Sequence, residues 1–233
     1  MEKVICLLWA EEDMDREQFS ADLLARLPVA LKAAGARQLR INLEDAVSAR
    51  GAALRQSRGE RQHDAMVQFW LPSANAMFRT GIDAALGAQA ARWCGWVVAE
   101  STIIANSAHP AVAAERTPGW SQTAFLTVPQ RLSHAEWLSL WQDRHTRVAI
   151  ETQANFEYVQ NLVVRAITPD APPYAAIVEE CFPESALTDP FAFFDAVGDP
   201  AKFKVNLDRM MESCDAFIDR GTIDVIPTGQ YTF

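Results

Sequence analysis

Trp137-Leu138-Ser139-Leu140-Trp141-Gln142-Asp143-Arg144-His145-Thr146-Arg147-Val148-Ala149-Ile150 decides the reading of this chain. Immediately before it, Ser133-His134-Ala135-Glu136 has the hydroxyl and acid of a capping box, which predicts a helix running to about Gln153. A strand is expected on either side, at Ser121 to Val128 and, by its alternation, at Phe156 to Ile167. Tyr174 to Glu179 reads as another strand. Asp199-Pro200 supplies an N-cap and an N1 proline, and Phe203, Leu207, Met210, Cys214 and Phe217 follow at helical spacing until Gly221. Thr222 to Ile226 closes the series as a strand. The order is βαββαβ.

The same order precedes it. Val4 to Trp9 is an apolar strand, and Asp15-Arg16-Glu17-Gln18 starts a helix carrying Phe19, Leu23 and Leu27 inward until Gly35, with a kink expected at Pro28. Leu39 to Leu43 and Ala65 to Leu71 are strands, Asn75 to Arg92 a helix, and Trp96 to Ala105 a strand. An offset of about 119 lays Ile41-Asn42-Leu43 on Gln160-Asn161-Leu162. We therefore expect an α+β chain of two halves, residues 1–107 and 119–233, joined by an Ala/Pro/Ser-rich linker. Two helices on one face of a four-stranded sheet leave the other face bare, and a second such sheet covers it.

Composition bounds the partners. The 233 residues carry 21 Lys+Arg against 30 Asp+Glu, a net charge of −9, and from Gly119 onward 8 basic residues face 16 acidic ones. That excess repels phosphate backbones and anionic lipid, so neither nucleic acid nor membrane is expected as a partner. No run approaches the roughly 18 apolar residues of a membrane span, and the apolar start breaks at Glu11-Glu12-Asp13, which predicts a soluble, cytoplasmic protein. Cys6, Cys94, Cys181 and Cys214 are scattered with no metal-ligand spacing, so they read as reduced packing thiols and no metal is expected.

On a regular helix Trp137, Trp141 and His145 share one inward stripe. One reading is a core histidine with two packing tryptophans; the other is a general acid or base facing a cavity that the tryptophans wall. The next strand mixes polarity on both faces, with Tyr158 and Gln160 on one and Asn161 and Arg165 on the other. A polar-lined cavity would use them; so would exposed strand faces. His63 and His109 read as loop residues, and Phe191, Phe193 and Phe194 either lid a pocket or pack on the adjoining helix.

The strand, then Trp137-x-x-x-Trp141-x-x-x-His145, then Tyr158-Val159-Gln160-Asn161 resembles the EthD-domain proteins of the dimeric α/β-barrel superfamily. The resemblance lies mainly over residues 121 to 230. It implies ferredoxin-like halves closing into a barrel within one chain, so that a monomer is itself a pseudo-dimer, or else a homodimer. It implies a cofactor-independent isomerase, cyclase or lyase acting on a small apolar carbonyl or phenolic compound. His145 would be the acid/base, Tyr158 or Asn161 would hold an oxyanion, and Trp137, Trp141, Gln160 and Arg165 would line the pocket. The alternatives are a non-catalytic small-molecule-binding protein beside an oxygenase system, and haem ligation by His145. The activity stays open at this point, because the fold hosts many.

Overall fold

Strand β1 (Glu2–Trp9) is buried from Val4 onward because both of its faces are covered. Val4, Cys6 and Leu8 join Phe19, Leu23 and Leu27 of helix α1 (Arg16–Ala33), whereas Ile5, Leu7 and Trp9 join Phe125, Ile177 and Ile226 from the opposite half. This computed structural model describes residues 1–59 and 61–233. The remaining strands are β2 (Arg37–Leu43), β3 (Ala65–Leu71), β4 (Arg92–Ile104), β5 (Trp120–Leu126), β6 (Glu157–Ala166), β7 (Ala176–Phe182) and β8 (Asp224–Thr232).

Among the described residues these eight strands close into one antiparallel barrel in the order β1-β3-β2-β8-β5-β7-β6-β4. Each half contributes its strands in the same 4-1-3-2 arrangement. Two seams join them: β2 pairs β8 from Arg40↔Thr232 to Leu43↔Gly229, and β4 pairs β6 from Trp96↔Ala166 to Ile104↔Tyr158. The bare faces of the two sheets therefore meet inside the barrel, and the edge strands that would otherwise be exposed are paired. Asn42 and Asn161, matched by the sequence offset, are both fully buried and both point inward.

Helices cover the outside. Asp15 caps α1 by accepting from the Gln18 amide at 2.9 Å, and α1 continues without a break through Pro28, where a kink was expected. The helix expected over 75–92 is shorter. A single 3-10 turn at Ala76–Phe78 precedes α2 (Thr80–Gly87), and Arg79 between them has a non-helical φ of −111°. Its guanidinium is spent on tertiary bonds to the carbonyls of Ala74 and Ile167 and to Asp83, which outweigh helical propensity.

In the second half the capping box at Ser133 forms as expected and opens α3 (His134–Leu138). The helix then widens into π turns over Ser139–His145 before resuming as α4 (Thr146–Thr152). After β7 come α5 (Pro190–Phe193) and α6 (Pro200–Phe217), the latter capped by Asp199 at the Lys202 amide. Phe191 stacks on Phe203, and Phe193 on Trp120 and Phe182. The phenylalanines thus pack the insertion onto its neighbours.

Segment 105–119 is held by Arg116, which pairs with Asp45 at 2.6 Å and donates to the Gly119 carbonyl at 2.7 Å. Tyr231 also donates to Asp45, at 3.0 Å. Gly229 is required beneath this knot, since a Cβ there would lie 1.9 Å from the Asp45 carboxylate.

Candidate functional site

The strand directions give the barrel two mouths, one at Lys3 and one at Trp9. The interior is divided accordingly. Toward the Trp9 mouth it is filled by Ile5, Leu7, Met66, Trp96, Phe125, Ile177 and Ile226. Toward the Lys3 mouth it holds a polar network centred on Glu179, which has no exposure. Glu179 accepts from Arg40 at 2.9 Å, Asn42 at 2.5 Å, Gln68 at 2.9 Å, Ser121 at 3.2 Å and Gln230 at 2.9 Å. Burial pushes its carboxyl up, but Arg40 and the amide donors outweigh it and hold the group at about 2. Arg40 also bonds Glu157 at 2.9 Å, and Lys3 bonds Glu100 at 2.5 Å and Asn161 at 2.8 Å.

The structure divides the residues singled out in the sequence. Asn161 belongs to this interior network, where its amide also donates to the Ile177 carbonyl at 3.1 Å. Arg165, opposite Val97 at the β4–β6 seam, is half-exposed and 3.8 Å from Glu2. Tyr158 and Gln160 face the opposite way, into the layer between the sheet and the helices, as strand alternation requires. There Gln160 donates to Tyr158 and to Thr146, each at 2.8 Å. Trp137 and Trp141 are fully buried in that layer, with ring centroids 5.1 Å apart, in contact with a cluster that includes Met210 and Phe217.

His145 ends the stretch of π turns that begins at Ser139. It lies between helices, its Nδ1 2.9 Å from the Ser213 hydroxyl and its ring 4.6 Å from Phe217. Burial lowers its pKa to about 4, so it is neutral at pH 7. None of the clefts described below is lined by His145, Tyr158 or Gln160. Asn161 and His145 are on opposite sides of the sheet and are not brought together.

One further titratable group faces the same layer. Glu180, opposite Tyr158 in the β6–β7 ladder, is pushed up to about 7 by burial, against hydrogen bonds from Asn155 at 2.9 Å and Gln122 at 3.2 Å. Its sign in the pH dependence differs from that of the histidines. Between about pH 4.5 and 7 the folded chain holds a proton on Glu180 that the unfolded chain has released, so this group favours folding at the acid end. His145, and His63 at about 3, do the reverse: the unfolded chain takes up their protons below about pH 6.5, so stability falls with acidification. Glu180→Gln removes the opposing contribution. Denaturant unfolding at pH 5 and pH 7 will show a larger loss of stability on acidification in the variant than in the parent.

His63 is the residue that sequence reasoning passed over. It lies between β2 and β3, only 8% exposed, with its ring edge-on to Phe125 at 4.8 Å and to Trp9 at 6.1 Å. Its Nε2 is buried and has no hydrogen-bond partner, although buried polar groups in folded proteins are nearly always paired. Burial drives its pKa to about 3 despite Asp224 nearby, so the ring is a neutral imidazole with one donor and one acceptor nitrogen. Nothing in the local sequence His63-Asp64 betrays this, since the burial comes from Phe125, 62 positions on.

His63 lines a cleft of about 770 Å³ between α1 and the Trp9 mouth. Phe19, Leu24 and Ile226 give it apolar walls; Arg16, Arg61 and Asp64 form an ion-paired rim, and Thr228 and Tyr231 add hydroxyls. That size and that mixture of apolar wall with a few fixed polar groups suit a small organic molecule. The cleft lies mainly on the first half, with Ile226, Thr228 and Tyr231 of β8 completing it, whereas the sequence pattern points to the helix and strand of the second half.

The fold class follows from this geometry: a barrel closed from two like halves makes the chain a dimeric α/β-barrel protein. Residues 129–221, within its second half, match the EthD domain. Among solved structures the chain is similar to an anthrone oxidase-like protein, at 11% identity over 99% of this chain and 92% of that one, with a TM-score of 0.54. It is similar also to a monooxygenase-like protein from Lactobacillus acidophilus NCFM, at 12% identity over 98% and 93% of the two chains, with a TM-score of 0.51. No curated protein sequence matches it. Among the described residues no helix is long and apolar enough to cross a membrane, and no cluster of His, Cys, Asp and Glu has the geometry to hold a metal ion.

Proposed function

We propose that the protein binds a small, largely apolar molecule carrying a phenolic, enolic or carbonyl oxygen, seated in the His63 cleft. One observation carries this reading: a neutral, nearly buried imidazole with an unpartnered Nε2 lines a cleft with apolar walls. A ligand oxygen reaching that nitrogen would satisfy a group whose isolation otherwise costs about 1–3 kcal/mol. A ring with a pKa near 3 is too weak a base to hold a proton at neutral pH. It therefore serves recognition better than proton abstraction, which favours a binding or delivery role. The test is a fluorescence titration with 2-naphthol, using Trp9 beside His63 as reporter and Trp9→Phe to assign the signal. Saturable quenching that His63→Phe weakens about tenfold is the expected result; quenching that is unaffected by His63→Phe overturns it.

A second reading rests on the helix–sheet layer of the EthD-matching half. There the carboxyl of Glu180, titrating at about 7, the range useful for proton transfer, lies opposite Tyr158, which Gln160 bonds at 2.8 Å. In this reading His145 or Glu180 moves the proton on a small carbonyl or phenolic compound without a cofactor. It requires the Trp137–Trp141 layer to open. Loss of turnover in His145→Ala with 2-naphthol quenching unchanged would favour it over pure binding.

A further inference from the structure

We propose that the Lys3 mouth of the barrel is a second, separate ligand site that takes a small organic ammonium ion. A cleft of about 570 Å³ opens there, on the far side of the apolar plug from His63. Two of its lining groups lack partners. Gln68, 2% exposed, turns its amide nitrogen to Asn42 at 3.1 Å and Glu179 at 2.9 Å. Both are acceptors, which fixes the orientation of the amide and leaves Oε1 buried with no donor. The Thr232 hydroxyl is likewise buried and unpartnered. A mouth that presents an unsatisfied acceptor and a hydroxyl calls for a ligand with N–H or O–H donors.

Charge selects among such ligands. The two cations at this end, Lys3 and Arg40, are already engaged by three carboxylates, Glu100, Glu157 and Glu179. The cluster therefore carries one negative charge in excess, which disfavours an anion and favours a cation. Trp70 and Phe233 at the rim offer aromatic surface for the ligand's alkyl part or for a cation over a ring. An ammonium head donating to Gln68 Oε1 and Thr232 Oγ1, with a short apolar tail against these rings, satisfies both unpartnered groups of this mouth.

The test is isothermal titration of the full chain with propylammonium chloride, against sodium propionate and 1-propanol at matched ionic strength. Saturable binding of propylammonium alone is expected, weakened about tenfold by Thr232→Val, which keeps the β-branched shape in β8, and unchanged by His63→Phe. Circular dichroism and the unfolding midpoint of Thr232→Val establish that the variant is folded. Preference for propionate would make the mouth an anion site, and equal binding of propanol would remove the role of charge. Binding lost in His63→Phe but not in Thr232→Val would move the ammonium to the other cleft. Each of these, and the absence of any binding, overturns the proposal. The outcome is independent of the 2-naphthol titration, so either site can fail without the other.

Discussion

Glu179→Ala will destabilise the protein by about 3–5 kcal/mol, because it removes one of the two buried carboxylates that neutralise Arg40 and takes an acceptor from each of Asn42, Gln68 and Gln230. The loss is large for a physical reason. A buried ion pair is weak evidence of net stabilisation, but breaking one side strands the other charge in a medium that cannot solvate it. Asp208→Asn is the control. Its ion pair with Lys204 is exposed on both sides, so water replaces the lost charge, and a shift within about 1 kcal/mol is expected. Urea unfolding of both variants measures the difference. A Glu179→Ala midpoint indistinguishable from the parent would mean that the network relaxes around water and does not hold the two halves together.

The second large effect is expected at Trp141. Trp141→Ala will cost about 3–5 kcal/mol, the range for emptying a large aromatic site in a packed core. This substitution also discriminates between the two roles that the sequence left open for the tryptophans. A tryptophan walling an open pocket already borders solvent, and its removal would cost about 1 kcal/mol. Trp141 instead contacts Trp137, 5.1 Å away, and has no solvent exposure to speak of. The same unfolding experiment reads the answer: a loss near 1 kcal/mol would restore Trp141 to the wall of a cavity.

Much of the architecture was legible along the chain because it rests on local rules. The capping box at Ser133 and the Asp199-Pro200 start are physical devices that act over three residues, and both helices begin where those devices stand. The repeat offset worked for a different reason. Asn42 and Asn161 occupy equivalent inward positions on β2 and β6, so their shared identity marks a shared place in the barrel. The short α2 escaped because Arg79 is pulled out of helical geometry by the Ile167 carbonyl, 88 residues away.

The site was less legible, and the particular residues show why. Period arithmetic placed His145 beneath Trp141 on a helix assumed regular, and the π turns at Ser139–His145 break that assumption without any proline or glycine to announce it. His63 looked like a loop residue because its neighbours in sequence are polar; its burial is made by Trp9 and Phe125 from other strands. Glu179 lay within a strand expected from its apolar run, and its role depends on donors drawn from β2, β3, β5 and β8. Sequence spacing reports what one element does alone. It does not report which side chains two halves bring together when they close.

A ligand seated at His63 has a direct spectroscopic signature, read by following the imidazole ring signals of His63 and His145 by NMR while 2-naphthol is added. The His63 Nε2 resonance is expected to shift saturably while that of His145, held on Ser213, stays in place. A shift at His145 with His63 unmoved would rule out the His63 site and return the ligand to the EthD-matching half.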